Sequence, residues 1–360
     1  MRSSVGKIIN ISLFGESHGP VVGMTITGFP QGQEIPYSFI EEELLKRKPQ
    51  KGLSTTRVEE DKVVFLSGVY NNKTTGAPLT FIIENKNVDS SSYKEGMVRP
   101  SHADLTAYVK YEGNNDYRGG GHFSGRLTAP IVVLGALCKT LLSAKNIIIG
   151  SHIKQVGNVE DDNFNADCLK EQLLELNSSY YPVINARKKE EMQNLIKTTQ
   201  ECGDSIGGKV ETVIINVPCG VGEPYFDGLD AYVSHLLFAL GGIKGVIFGN
   251  EMVTTKLGSE YNDNLKYEND AVKYLSNNNG GVLGGITTGE PIVVTTLIKP
   301  TPSIRKPQQS INVKTQENID LTIGGRHDPC IVHRIRPAIE ALIAFALVDL
   351  MLLNNTTKWR

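Results

Sequence analysis

The chain has few cysteines, and they are badly placed to act together. Five are spread through 360 residues, at positions 138, 168, 202, 219 and 330, odd in number and with no CxxC pair. That spacing argues against a disulfide framework and against a zinc site. Long apolar runs are also missing. None reaches the ~18–20 residues needed to cross a bilayer, because the longest, near 129–142, is interrupted by Pro130, Gly135 and Lys139. The first residues, Met1-Arg-Ser-Ser-Val-Gly-Lys-Ile8, hold no signal-peptide core, so a cytosolic protein outside the membrane is expected. No basic field is present: the net charge of −2 gives nucleic acid nothing to follow, and any bound anion must be held by local clusters. Nucleotide fingerprints are lacking as well. The run from Gly119 to Gly125 has Ser124 where a dinucleotide-binding turn needs glycine, and no GxxxxGK[ST] loop occurs.

What remains is an ordinary globular composition, long enough for one large domain or two smaller ones. No repeat or linker divides it, so a single domain, 1–360, is expected. Apolar and β-branched runs predict strands at 7–13, 21–27, 62–66, 79–83, 146–153, 209–217 and 291–297. Ser38-Phe-Ile-Glu41 reads as a capping box opening a helix that stops before Pro49. Ser101 reads as the N-cap of a helix to Tyr111, with His102 in its first turn. Further helices are expected at 128–144, 168–176, 187–202 and 227–240, and an apolar one at 337–353 closes the chain. Strands and helices mix without regular βαβ alternation, which indicates an α+β fold.

Three short segments concentrate reactive side chains among glycines: Phe14-Gly-Glu-Ser-His-Gly19, Arg118-Gly-Gly-Gly-His-Phe-Ser-Gly-Arg126 and Arg326-His-Asp-Pro-Cys330. Glycine lets backbone approach a ligand, and the side chains between donate protons, accept them or hold anions. Arg118 and Arg126 bracket their loop as an anion contact would require, since guanidinium meets phosphate through paired hydrogen bonds. Each residue has a plainer alternative. His18 could be a turn histidine, His102 an exposed one, and Asp328 part of an Asp-Pro turn. Lys46-Arg47-Lys48 could be a solvated charge run closing a helix. His152 and His235 fall inside strand and helix patterns and read as structural.

Taken together and in order, the segments resemble the chorismate synthase family. The matching pieces are Gly15-Glu-Ser-His-Gly19, Arg99-Pro-Ser-His-Ala-Asp104 with Lys110-Tyr111, Arg118-Gly-Gly-Gly121 with Ser124 and Arg126, Gly280-Gly-Val-Leu-Gly-Gly285, Lys299-Pro-Thr301 and Gly325-Arg-His-Asp-Pro-Cys330. Each piece is weak alone, but six in order over nearly the whole chain are specific. The resemblance implies a β-α-β sandwich with antiparallel sheets enclosing a helical layer, and usually a homotetramer. It implies an anti-1,4-elimination of phosphate and a ring proton from 5-enolpyruvylshikimate 3-phosphate, giving chorismate. Reduced FMN is required without net redox change, and compact members depend on an external flavin reductase. The competing enzyme class is an NAD(P)H-dependent flavin oxidoreductase. A non-enzymatic anion-binding protein leaves the Ser/His/Asp set without a use.

By matching position, the resemblance assigns Lys46, Arg47, Arg118, Arg126 and Arg326 to the anionic groups. It places His102 on the phosphate side and His18 beside the reduced flavin. Asp328, with Ser17 and Ser124, would help the flavin N5 accept the ring proton. His122, Phe123, Ser124, Gly284, Lys299, Pro300, Thr301, Pro302, Ser303 and Arg326 would line the flavin. The chain departs from the family at Lys46-Arg47-Lys48, where an arginine run is common, and at Leu53, near which a further arginine is expected. His122-Phe123 replaces an arginine and a small residue, and Lys299-Pro-Thr-Pro-Ser303 replaces Lys-Pro-Thr-Ser-Ser.

Overall fold

The structure is a computed structural model that describes residues 3–50, 53–54, 60–86, 88–91, 93–324 and 327–356. Two five-stranded antiparallel sheets dominate it. The first runs in the order Ser4–Val5, Asn10–Gly15, Val21–Thr27, Leu79–Glu84, Val63–Ser67. The second runs Ile243–Phe248, Ile292–Ile298, Gly208–Ile215, Ile148–Val156, Val159–Glu160. Burial along the strands explains why both faces of one sheet are covered but only one face of the other. Leu79–Glu84 alternates buried and half-buried residues, as a sheet with one wet face requires. Ile148–Val156 is buried at most positions, because α4 (Leu169–Asn177) packs on the outside and the central helices on the inside.

The central layer is made by α3 (Thr128–Ser143) and α8 (Val332–Thr356), with α1 (Tyr37–Arg47) across them and α6 (Leu229–Leu237) against α8. α3 and α8 cross so closely at Gly135 that a Cβ there would overlap Ala341. The helices α2 (Asp104–Lys110), α5 (Ala186–Glu201) and the single turn α7 (Gly258–Tyr261) lie outside this layer. The expected sandwich of antiparallel sheets enclosing helices is therefore present. Helix length joins apolar stretches that looked interrupted in sequence. Arg118–Ser143 and Val332–Thr356 are long and apolar enough to cross a membrane, yet 78% of each apolar window is buried inside the fold.

Three helix starts differ from the sequence reading. α1 begins at Tyr37, so Ser38 lies inside the helix and no side chain caps it. α2 begins at Asp104 rather than at Ser101. The Asp104 carboxylate turns back to accept the Arg99 backbone N–H at 3.0 Å, and Ser101 takes a positive φ of 58°. His102 therefore sits in a loop before the helix. α8 begins at Val332 and carries Pro337 within it, which lengthens the closing helix toward the Asp328 loop.

Candidate active site

The loops singled out in the sequence meet in a closed circuit of contacts at one end of the sandwich. The turn between Asn10–Gly15 and Val21–Thr27 presents buried Ser17 and His18. The glycine loop crosses directly over it. Ser17 N–H donates to the Gly121 carbonyl at 3.0 Å, and a Cβ on Gly119 would overlap the His18 ring. Gly119, Gly120 and Gly121 all have positive φ, which explains why three glycines stand in a row there. His122 locks the two loops together. Its Nδ1–H donates to the Gly15 carbonyl at 2.8 Å, so in the neutral ring Nε2 accepts from the Ser3 hydroxyl at 2.9 Å. Phe123 is half exposed and leans on Tyr111, with ring centroids 6.4 Å apart. The Ser124 hydroxyl accepts the Arg126 N–H at 3.3 Å.

The circuit continues through the segment before α2. The Arg99 guanidinium lies beside Gly120 and makes a paired ion contact with Asp104, both bonds 2.8 Å. Its other neighbour is the Tyr93 ring, 5.3 Å away, and Tyr93 meets the His18 ring edge-on at 5.3 Å. Ser90 Oγ is hydrogen-bonded to His18 Nδ1 at 2.8 Å. His102 reaches across to the second sheet, where its Nε2 is hydrogen-bonded to Ser303 Oγ at 2.8 Å. Lys299 Nζ donates to the Ser101 carbonyl at 2.8 Å. Burial, and then the nearby Arg99 charge, push the His102 imidazole down to about 4. Burial, and then Lys244, lower the Lys299 ammonium as well. Pro300 is exposed, Pro302 is half-buried, and the Thr301 hydroxyl is buried with no hydrogen-bond partner among the described residues.

Ser303, His327 and Asp328 line one depression, and Asp328 pairs with Arg334 in the first turn of α8. Arg334 Nε also donates to the Arg47 carbonyl at 3.1 Å. Arg47 pairs with buried Asp61 at 2.8 Å, and Asp61 pairs in turn with Arg126. Arg126 donates to Asn85 Oδ1 at 2.8 Å and to the Glu84 carbonyl at 3.0 Å. The Asn85 amide donates to the Glu16 and Gly19 carbonyls at 3.1 and 2.8 Å, which closes the circuit at the first loop. Burial alone would raise the Asp61 carboxyl, but Arg47 and Arg126 outweigh it and hold it below its ordinary value.

The predicted residues do not all converge. Lys46 points away from Arg47 and pairs with Glu43 at 2.5 Å. Arg118 is exposed and paired with Asp116 at 2.8 Å. Gly284 lies at an exposed hairpin turn, where a Cβ would meet nothing within 4 Å. Leu53 is buried in the hydrophobic core, so that position offers no cation. Arg326 lies outside the described residues. Sequence reasoning missed Asp61, Asn85, Ser90, Tyr93 and Arg334. Arg99 had a signal, the Arg-Pro-Ser-His segment quoted for the resemblance, but received no role.

Comparison with known proteins agrees with this arrangement. A sequence model described as chorismate synthase matches residues 9–352. Chorismate synthase of Pyrococcus abyssi is 42% identical over 353 residues, covering 97% of this chain and 98% of its own. That of Thermococcus gammatolerans is 43% identical, with 96% and 97% covered. That of Methanocaldococcus jannaschii is 41% identical, with 98% and 97% covered. A crystal structure of chorismate synthase superposes with a TM-score of 0.75 at 28% identity, covering 98% of this chain and 94% of that one. The chain belongs to the chorismate synthase family.

Proposed function

We propose that the circuit of loops is where this chain carries out its reaction, with reduced FMN as cofactor. The activity follows from the family: a lyase of the shikimate pathway that eliminates phosphate and a ring proton from 5-enolpyruvylshikimate 3-phosphate to give chorismate. The observation supporting the location is the chain of contacts joining His18, His102, Asp328, Arg47 and Arg126 from five separate segments, with one step across the depression that Ser303 and Asp328 both line.

The residues present suit a flavin. The Thr301 hydroxyl is buried without a partner among the described residues, Lys299 stands two residues before it, and Gly119–Gly121 leave bare backbone next to His18. Reduced flavin supplies electron density that assists departure of the phosphate.

The chain's own groups serve the anions and protons. Arg47, Arg126 and Arg334 pair with Asp61 and Asp328, and these cations are suited to a substrate with a phosphate and two carboxylates. Arg47 also keeps a buried Nε–H with no partner among the described residues. His102 is neutral in the free protein at pH 7. An arriving phosphate favours its protonated form and makes it a proton donor to the leaving group. Ser90 and Tyr93 hold the His18 ring, and Arg334 fixes Asp328 beside the depression where a ring proton would be held. Ser17, Ser124, Ser303, Pro300, Pro302 and Phe123 shape the flavin side, with His122 setting the loop geometry. Arg326, Arg118 and Gly284 complete the assignment by motif position, whereas Lys46, paired with Glu43, contributes least to substrate binding.

The reading includes a homotetramer, for which exposed Tyr225 and Phe226 are suitable contacts, an external flavin reductase and a cytoplasmic location. The test is purified protein with reduced FMN and 5-enolpyruvylshikimate 3-phosphate under anaerobic conditions. Chorismate and phosphate should appear in equal amounts while the flavin stays reduced. Flavin oxidised in step with product would favour the NAD(P)H-dependent oxidoreductase instead.

A further inference from the structure

Arg99 stands between the two histidines of the site. On one side its guanidinium lies 5.3 Å from the Tyr93 ring, which meets the His18 ring edge-on. On the other, its carbonyl accepts the His102 N–H at 3.3 Å. Pro100 and a positive φ at Ser101 fill the two positions between, the pattern of a type II turn. The turn places His102 three residues after Arg99 and two before Asp104, while Ser303 holds its Nε2.

Asp104 gives both carboxylate oxygens to Arg99. It accepts Nε–H and Nη2–H at 2.8 Å each, and the Arg99 backbone N–H at 3.0 Å. Both side chains are only 14% exposed, so water screens their charges weakly. They act on the neighbouring His102 ring in opposite senses: Arg99 repels a proton and Asp104 attracts one. Two further groups push the same way as Arg99. Lys299 follows the strand Ile292–Ile298, and His327 lines the depression with Ser303. Burial comes first and pushes that way too. Asp328 lines the same depression but is engaged by Arg334. Of the four groups that act on the ring, only Asp104 favours its charged form.

We propose that Arg99 and Asp104 are positioning residues for the reaction, an opposed pair of charges on His102. Arg99 keeps a proton off the ring before substrate binds, and Asp104 keeps the ring basic enough to take one from water when the phosphate arrives. This role rests on the reading that His102 serves the leaving phosphate. The phosphate brings negative charge to the ring and tips a balance that Asp104 alone does not.

The test reads the ring directly, with no substrate present. The full chain carrying isotope-labelled histidine is titrated by NMR, and the His102 signals are those missing from His102→Gln. Wild-type His102 should reach half-charge at about pH 4. Arg99→Met leaves Asp104 facing the ring and should raise that midpoint by about 1 pH unit or more. Asp104→Asn leaves Arg99 unopposed, so its midpoint should lie below that of wild type. Arg99→Lys keeps the charge and should stay well below Arg99→Met. All other groups around the ring are kept in these variants, so the differences report the pair alone. A pair that merely braced the loop would behave otherwise: both neutral variants would admit water, and both midpoints would drift up toward the ordinary value of about 6.5. Midpoints that rise in both, or move in neither, would overturn the proposal, as would equal midpoints for Arg99→Lys and Arg99→Met. If Arg99→Met does not fold, a rise or no change in Asp104→Asn overturns it alone. The turnover of His102→Ala tests the underlying reading separately, because the titration does not depend on activity.

Discussion

Two charge clusters lie along the crossing of α1 and α8, and in each, cations from both helices meet carboxylates. The front one, Arg47, Arg126 and Arg334 with Asp61 and Asp328, borders the loops that carry His18 and His102. The rear one, Lys46, Lys139 and Arg336 with Glu43 and Glu340, borders the hydrophobic core. Lys46 and Arg47 are neighbours in sequence, yet each joins a different cluster. Successive helical residues are about 100° apart around the axis and do not share a face. Charge count alone therefore does not identify an active site. The front cluster is set apart by the side chains on its rim and by loops without side chains that let a ligand in.

The largest effects should come from the rim. His102→Ala and His18→Ala should each lower turnover by about 10²–10⁴-fold, the usual contribution of acid–base groups, with an unchanged circular dichroism spectrum. Normal rates in both variants would return the front cluster to the same structural standing as the rear one.

The comparison sharpens at the two neighbours on α1. Arg47→Met should weaken substrate binding about 10- to 100-fold, in line with roughly 1.5–3 kcal/mol for a hydrogen bond to a charged group. Lys46→Met should change it less than about threefold, because in this structure its ammonium serves Glu43. Isothermal titration of both variants with substrate decides the matter, and equal losses would show that the two clusters act as one.

Much of the site was legible because its chemistry is concentrated in short segments. Glycine beside histidine and serine at 15–19 and 118–126 marked both loops, and both lie in the circuit. The sandwich was legible only through the family resemblance, since local patterns specify strands but not which strands pair. The partners that fix the front cluster were not legible. Asp61 ends a short acidic run, Glu59-Glu60-Asp61, that reads as solvated charge, and its role arises only when α1 and the Arg126 loop fold onto it from either side. Ser38 and Ser101 both look like caps locally, but α1 starts one residue earlier, at Tyr37, and at α2 Asp104 is drawn back to Arg99 by an ion pair that propensity does not register.

A third buried group gives a smaller effect, apart from both clusters. His152 lies between Asp161 at 2.7 Å and Glu211 at 3.1 Å. Burial works against its charge, but hydrogen bonds to the two carboxylates prevail and raise it above its ordinary value. A raised folded-state value means that its stabilisation is complete below about pH 6.5 and is lost as pH climbs through the folded value. The unfolding midpoint of the wild type should therefore fall more steeply on the alkaline side than that of His152→Gln. Parallel curves for the two proteins would remove the clamp.

The most direct test of the account lies at Asp328, where the front cluster meets the proposed chemistry. Asn keeps the size and a hydrogen bond to Arg334 but cannot ionise. Single-turnover rates for Asp328→Asn, measured with and without deuterium at the departing ring position, should fall sharply while substrate and reduced-FMN affinities stay near wild type. A wild-type rate with an unchanged isotope effect would contradict the proton-handling role and leave Asp328 a structural residue that holds Arg334.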